Sequence, residues 1–336
     1  MKTVLKTLAL FTAIAACLAP AALADEGGAN WLGAMQAETA ASRAAMAAPG
    51  VEEWKKPIPI SFAIDYTMVS DYVWRGINLS EFDGEGGERP NHQLTVSSEV
   101  NLGPYGRVGG SVWFEWFAGQ PQITDWTDSH LQEVDYAVYY GYNIEPLGIN
   151  AEIGYLWYAF PPYRSVPDAS SDAASTQELY TKLSFDDGLW WRSLGFKDVK
   201  SPIFNPYILY AFDMDLAPSG SYGEFGISHP FALKECGMGE TPVLKDITIT
   251  PSWKMGWSNN WINKYSLKDP QKENVGGVNN LTYGLLVSYD LKSALNIPDK
   301  YCGSLYLNGF LNYSQAIARQ FLNDEIYGGV SVGYGW

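Results

Sequence analysis

The chain is predicted to be all-β, folding as a transmembrane antiparallel up-and-down β-barrel of about 12 strands. Three observations predict it. Segments of about ten residues alternate apolar and polar with period two, their connections tend to run short and long in turn, and aromatic rings gather near the segment ends.

The chain opens with Lys2 and Lys6 ahead of an apolar run from Leu8 to Ala16, and Ala22-Leu23-Ala24 supplies a small-residue cleavage pattern before Asp25. Residues 1–24 are therefore expected to be a signal peptide, its apolar run too short for a spanning helix. Ile14-Ala15-Ala16-Cys17 fits a second reading, in which Cys17 is lipid-modified. Residues 25–58 are expected to form a periplasmic N-terminal extension. Within it, alanine-rich Met35–Ala48 suits a short helix, and the roles of tether, plug and oligomerisation arm stay open. Pro57 and Pro59 lead into the barrel, residues 59–336.

Without residues 1–24 the chain has 20 basic against 37 acidic residues, a net charge of −17. That balance excludes a nucleic-acid partner, which needs a basic face. With 46% hydrophobic and 15% aromatic residues the chain has too much apolar surface for a disordered acidic tail. After the signal no apolar run reaches the roughly 18 residues of a spanning helix, so any crossing must be made by strands.

The strands follow in order. Phe62, Ile64, Tyr66 and Met68 alternate with polar neighbours, and the rhythm returns at Leu94–Leu102, Val108–Trp116, Val134–Tyr140 and Ile149–Trp157. Leu179–Phe185 and Phe204–Phe212 continue it, followed by segments near 221–231, 245–257, 279–291, 303–315 and 326–336. The connections 103–107, 144–148 and 292–302 are compact, whereas 79–91, 118–131, 161–175 and 258–278 are long and polar. Tight periplasmic turns opposite long external loops are the layout of an outer-membrane barrel. Two connections break the pattern: 187–203 is long on the short side, and 214–221 is short on the long side. A soluble sandwich would also alternate. The rings of Tyr136, Tyr140, Tyr142, Tyr155, Trp157, Tyr283, Tyr289, Tyr334 and Trp336 favour the membrane, because on the apolar parity they would form interfacial girdles.

Ser70-Asp71-Tyr72-Val73-Trp74-Arg75-Gly76-Ile77-Asn78-Leu79-Ser80 resembles the signature strand of the TorF-type porin family, a group of bacterial outer-membrane barrels. Tyr139-Tyr140-Gly141-Tyr142, Ile153-Gly154-Tyr155, Tyr158-Ala159-Phe160-Pro161 and Glu178-Leu179-Tyr180 match in the same order, so the likeness spans most of residues 59–336. Residues 25–58 have no counterpart, and 187–203 and 232–244 are longer than the family pattern. The resemblance implies a porin-like role in the bacterial outer membrane.

If the apolar parity faces lipid, the lumen receives Asp65, Asp71, Arg75, Glu99, Glu115, Glu133, Asp135, Glu152, Glu178, Lys182, Asp213 and Lys254. Acids outnumber bases. Such a wall draws in cations and repels anions, so small cationic or neutral hydrophilic solutes are the expected cargo. The pore-lining candidates are Asp71, Arg75, Glu99, Glu115, Asp135, Glu152 and Lys182. Pairing of these charges with one another and with lumenal tyrosines would instead close the tube. Arg75, four positions after Asp71 on the first strand, projects to the same face. It is either one wall of a constriction opposite Glu115 or Glu152, or an architectural guanidinium gathering carboxylates. Twelve strands lie between the eight that side chains can fill and the sixteen of open porins, so a channel should be narrow or gated by an inward loop.

Cys236 and Cys302 fall in the eighth and tenth connections, both on the periplasmic side, where they could form a disulfide or stand as two thiols. No metal-ligand spacing occurs, and no cofactor is expected. An enzyme is not expected either: His92, His130 and His229, with Ser97 or Ser129 as nucleophiles, lack a Gly-x-Ser-x-Gly elbow. The remaining alternative is a closed barrel acting as scaffold or adhesin through its loops. Trp257, Trp261 and Tyr265 would then offer a glycan or partner site in 258–278. The expected surroundings are outer-membrane lipid, with oligomeric state open.

Overall fold

A computed structural model describes residues 59–80, 90–117, 131–160, 175–197, 199, 202–218, 220–265 and 276–336. The expected signal peptide and N-terminal extension lie outside these residues.

The alternating segments form twelve strands. They are β1 (Ile60–Val69), β2 (Asn91–Asn101), β3 (Arg107–Phe117), β4 (Leu131–Ile144), β5 (Ile149–Ala159) and β6 (Ser175–Phe185). β7 (Tyr207–Asp213), β8 (Ser221–Ser228), β9 (Ile247–Asn259), β10 (Gly277–Asp290), β11 (Ser304–Ala316) and β12 (Glu325–Gly335) complete the set. Each pairs antiparallel with the next, and β12 returns to β1 in a register running from Ala63↔Gly335 to Val69↔Gly329. The sheet therefore closes into a twelve-stranded up-and-down barrel, as expected. Phe231–Ala232 adds a two-residue strand beside β9 at the turn end. Among the described residues no helix is long and apolar enough to cross a membrane.

Period two sorts the side chains. Along β1, Phe62, Ile64, Tyr66 and Met68 face outward and exposed while Asp65 and Thr67 are buried inside. The exposed apolar band continues around the wall through Val138, Ile153, Leu179, Tyr210, Leu311 and Val330. Tyr136 stacks on Trp157 across β4 and β5 with ring centroids 5.3 Å apart, and Tyr283 on Tyr313 at 6.1 Å. A belt this extensive marks a surface that is covered in the working protein.

The long turn between β6 and β7 is compact for a local reason. It opens with α1 (Asp187–Ser193), whose Asp186 side chain accepts the Gly188 amide at 3.0 Å. Buried Asp187 then collects the amides of Ile203 and Phe204, each at 3.0 Å, and the Trp191 indole at 2.9 Å. One carboxylate thus satisfies a turn that would otherwise leave donors unpaired.

The first strand ends sooner than its sequence suggests. Beyond Val69 the β2 side runs out, since Val69 pairs with Asn91, the first residue of β2, while β12 continues to Glu325 paired with β11. The chain leaves the wall and folds into the barrel as a hairpin with Val73↔Asn78 and Trp74↔Ile77. Its two turn residues, Arg75 (φ 53°) and Gly76 (φ 84°), give the left-handed geometry of a two-residue hairpin loop. A Cβ on Gly76 would lie 2.9 Å from Asn280 Cγ, so the tip presses on the β10 wall. Asp71 and Arg75 are therefore not two pleats apart on one strand face. Burial of Tyr72, Val73, Trp74 and Ile77 draws the segment inward instead.

On the lumenal side, several tyrosines lie across a glycine of the neighbouring strand. Tyr139 covers Gly109, Tyr180 covers Gly154 and Tyr306 covers Gly333. Tyr180 is not free to swing away, because its hydroxyl donates to Glu152 at 2.9 Å. Gly154→Ala, whose Cβ would sit 2.4 Å from that ring, is expected to lower stability by about 1–3 kcal/mol through overpacking. Urea-refolding midpoints followed by heat-modifiable gel mobility measure it, and an unchanged midpoint would show that the ring adapts.

Candidate functional site: the barrel lumen

The loop-end half of the lumen is packed. Beside the hairpin stand Trp261 and Ile262 from the β9–β10 connection and Phe321 and Leu322 from the β11–β12 connection, against Trp113, Leu156, Tyr158 and Tyr222 on the wall. Trp261 is 0% exposed, which corrects its expected place in an outward-facing binding loop. Apolar surface excluded from water inside the barrel outweighs the solvated loop the composition implied.

At the centre of this packing sits Arg75. Its Nη1 and Nη2 donate to Glu178 Oε1 and Oε2 at 2.7 and 2.8 Å, a bidentate pair in which neither residue exceeds 2% exposure. The guanidinium also lies over the rings of Tyr222, Trp74 and Trp261, at 4.3, 4.6 and 5.0 Å. Glu178 accepts further from Tyr158 at 2.9 Å and from the Trp261 indole at 3.3 Å. Arg75 thus faces Glu178, and neither Glu115 nor Glu152 is its partner; the inward fold of the hairpin selects β6 as the opposite wall.

Nearer the turn end, a second network lines the strands. Arg107 bridges Glu99 and Glu152, each at 3.0 Å, with Tyr139 donating to Glu99 and Tyr180 to Glu152. Lys182 stands opposite Glu152 in the ladder and over the Tyr207 ring at 4.9 Å. Lys254 lies 3.6 Å from Glu224, which also accepts from Tyr222 and Tyr207. Glu99, Arg107 and Glu152 are partly solvent-accessible, unlike the groups above them.

The remaining candidates gather under the hairpin. Glu115 on β3 stands directly opposite Glu133 on β4, and Asp135 opposite Trp113, with the register shifting just beyond Glu115. Tyr72 reaches them from the hairpin, donating to Glu133, and its ring lies 5.4 Å from that of Trp113. Structure thus splits the seven pore-lining candidates. Arg75 anchors the plug, Glu99, Glu152 and Lys182 belong to the turn-end network, Glu115 and Asp135 sit in an acidic patch, and Asp71 is buried where the chain leaves the wall for the hairpin.

Arg107 and Glu224 were missed in the lumenal set. Arg107 lay hidden at a turn, at the very start of β3. Glu224 falls in a strand rich in glycine and serine, although Tyr222, Glu224 and Gly226 do keep the inward parity.

The disulfide expected between Cys236 and Cys302 is not formed. Cys302 is buried within its own turn, where its Sγ donates to the Ser304 carbonyl at 3.1 Å. Burial pushes its thiol up, which disfavours the reactive thiolate. His92 stands on the outward face, sharing a 2.6 Å hydrogen bond with Tyr66 and stacking on Trp116, while Ser97 occupies the inward parity. His229 Nδ1 contacts the Ile203 carbonyl. Ser129 and His130 lie outside the described residues. Among the described residues no group of three or more acidic, histidine or cysteine side chains is placed to hold a metal ion.

No family model matches the chain, and no curated protein matches it. The TorF-type resemblance accordingly rests on its motifs. Solved structures with a similar fold include the KdgM porin, at TM-score 0.40 and 12% identity over 81% of this chain and 98% of that one. The NanC porin aligns at TM-score 0.40 and 11% identity over 81% and 98%. An outer-membrane channel from Pseudomonas putida F1 aligns at TM-score 0.41 and 6% identity over 85% and 100%.

Arg75→Met is expected to destabilise the barrel by about 3–5 kcal/mol, because it leaves the Glu178 carboxylate buried and unpaired. Arg75→Met/Glu178→Gln should recover part of that loss. Equilibrium unfolding in urea compares them, and a double variant no more stable than the single one would remove the pair as the anchor of the plug.

Proposed function

We propose that the chain is a porin of the bacterial outer membrane that passes small hydrophilic solutes, cationic or neutral, through a narrow acidic lumen. The observation that carries this reading is the contrast between the two faces of the wall. Outside, an apolar belt suits lipid hydrocarbon. Inside, Glu99, Glu115, Glu133, Asp135, Glu152, Glu178 and Glu224 stand, among the described residues, with the four bases Arg75, Arg107, Lys182 and Lys254. Carboxylates in a low-dielectric wall raise the local concentration of cations and exclude anions.

One observation favours a second reading, a closed barrel that serves as scaffold or adhesin. The packed hairpin and the Arg75–Glu178 pair fill the loop-end half of the lumen. On the porin reading this plug is a gate, and solutes pass when it is displaced.

Single-channel recording of the refolded protein in a planar bilayer under a salt gradient separates the two. The porin reading expects discrete, cation-favouring openings, weaker selectivity in Asp71→Asn/Glu115→Gln, and more frequent opening in Arg75→Met. A folded barrel that never conducts, in either the wild type or Arg75→Met, would overturn it in favour of the closed scaffold.

A further inference from the structure

We propose that the acidic pocket where β3 meets β4, beneath the Asp71–Ser80 hairpin, binds a primary ammonium group. The proposal deepens the porin reading by naming the chemistry of a preferred solute.

Three acids gather here on two neighbouring strands. Glu115 and Glu133 are directly opposed on adjacent strands, an arrangement that places their Cβ atoms about 5 Å apart and is unfavourable for like charges. Asp135 follows two residues along β4 on the same face, close to Glu133. All three are at least nine-tenths buried, at 2%, 6% and 3% exposure. The four lumenal bases are engaged elsewhere: Arg75 by Glu178, Arg107 by Glu99 and Glu152, Lys254 by Glu224, and Lys182 opposite Glu152 over the Tyr207 ring. Burying this much like charge without a counter-charge is strongly unfavourable.

An independent observation points to a missing occupant. Glu115 Oε1 is buried and makes no hydrogen bond, and the β3–β4 register shifts immediately beyond it. A buried carboxylate oxygen without a donor is what an absent ligand leaves behind.

The pocket also selects among cations. Its donor set is not placed to hold a metal ion. A primary ammonium brings N–H donors, which Glu115 Oε1 lacks. Tyr72 and Trp113, 5.4 Å apart, close one side of the patch with aromatic surface that favours an organic cation. Tyr72 donates to Glu133, so the hairpin itself forms the roof.

Isothermal titration calorimetry on the folded barrel in detergent, at constant ionic strength and neutral pH, tests this with methylammonium chloride as probe. Saturable one-site binding is expected, weakened at least ten-fold in Glu115→Gln and in Glu133→Gln and unchanged in Asp299→Asn on an exposed turn. Tetramethylammonium, equal in charge but without N–H donors, should bind the wild type at least ten-fold more weakly. Absence of saturable methylammonium binding, equal binding of tetramethylammonium, or wild-type affinity in both Gln variants would overturn the site. The readout needs no transport. A barrel that binds methylammonium yet never conducts keeps the site and loses the channel, and one that conducts without binding does the reverse.

Discussion

Closure of the backbone ladder is the constraint from which the rest follows. Once β12 pairs with β1, the sheet has no edge and its strand amides and carbonyls find partners within the wall. Side chains are then freed from satisfying the backbone and divide between two environments. The outward parity carries isoleucine, valine, leucine and aromatic rings, and the inward parity carries carboxylates, amides and hydroxyls. The same closure explains the inward hairpin. At Val69 the β2 neighbour has reached its first residue, Asn91, and the chain beyond it makes its own pairing between Val73–Trp74 and Ile77–Asn78.

Barrel size then sets what the lumen can be. Eight strands are filled by their own side chains and sixteen leave open water, so twelve leave a space that a short hairpin can occupy. The occupant is held by one buried bidentate pair with aromatic rings around it, and not by apolar packing alone. A buried ion pair contributes little net stability compared with an apolar substitute of the same shape, but it has only one good geometry. It therefore specifies where the hairpin sits. The turn-end network around Arg107 is more exposed to solvent, and the lumen grades from a packed half to a wetter one.

Much of this architecture was legible in the chain. Twelve strands, their antiparallel order, the alternation of faces and the inward parity of Glu115, Glu133, Asp135, Glu178 and Lys254 all follow from period two, because the signal repeats along the whole wall. The exceptional long turn after β6 was visible as length, but not as a structure gathered on Asp187. Residues 70–80 were misread because Tyr72, Trp74 and Ile77 are as apolar as any strand residue. Periodicity does not distinguish a strand that continues along the wall from one that turns inside it.

What the sequence determined by itself was the division of every strand into two faces, since alternation is a local property of the backbone and needs no partner to be read. What only the tertiary structure decided was which charges meet. Arg75 and Glu178 lie far apart along the chain, and their pairing depends on where β1 loses its β2 neighbour and on which wall the hairpin tip reaches. The acidic patch between β3 and β4 arises likewise. It is defined as much by the bases drawn away to other carboxylates as by the acids themselves, because electrostatic compensation acts through space and not along the sequence.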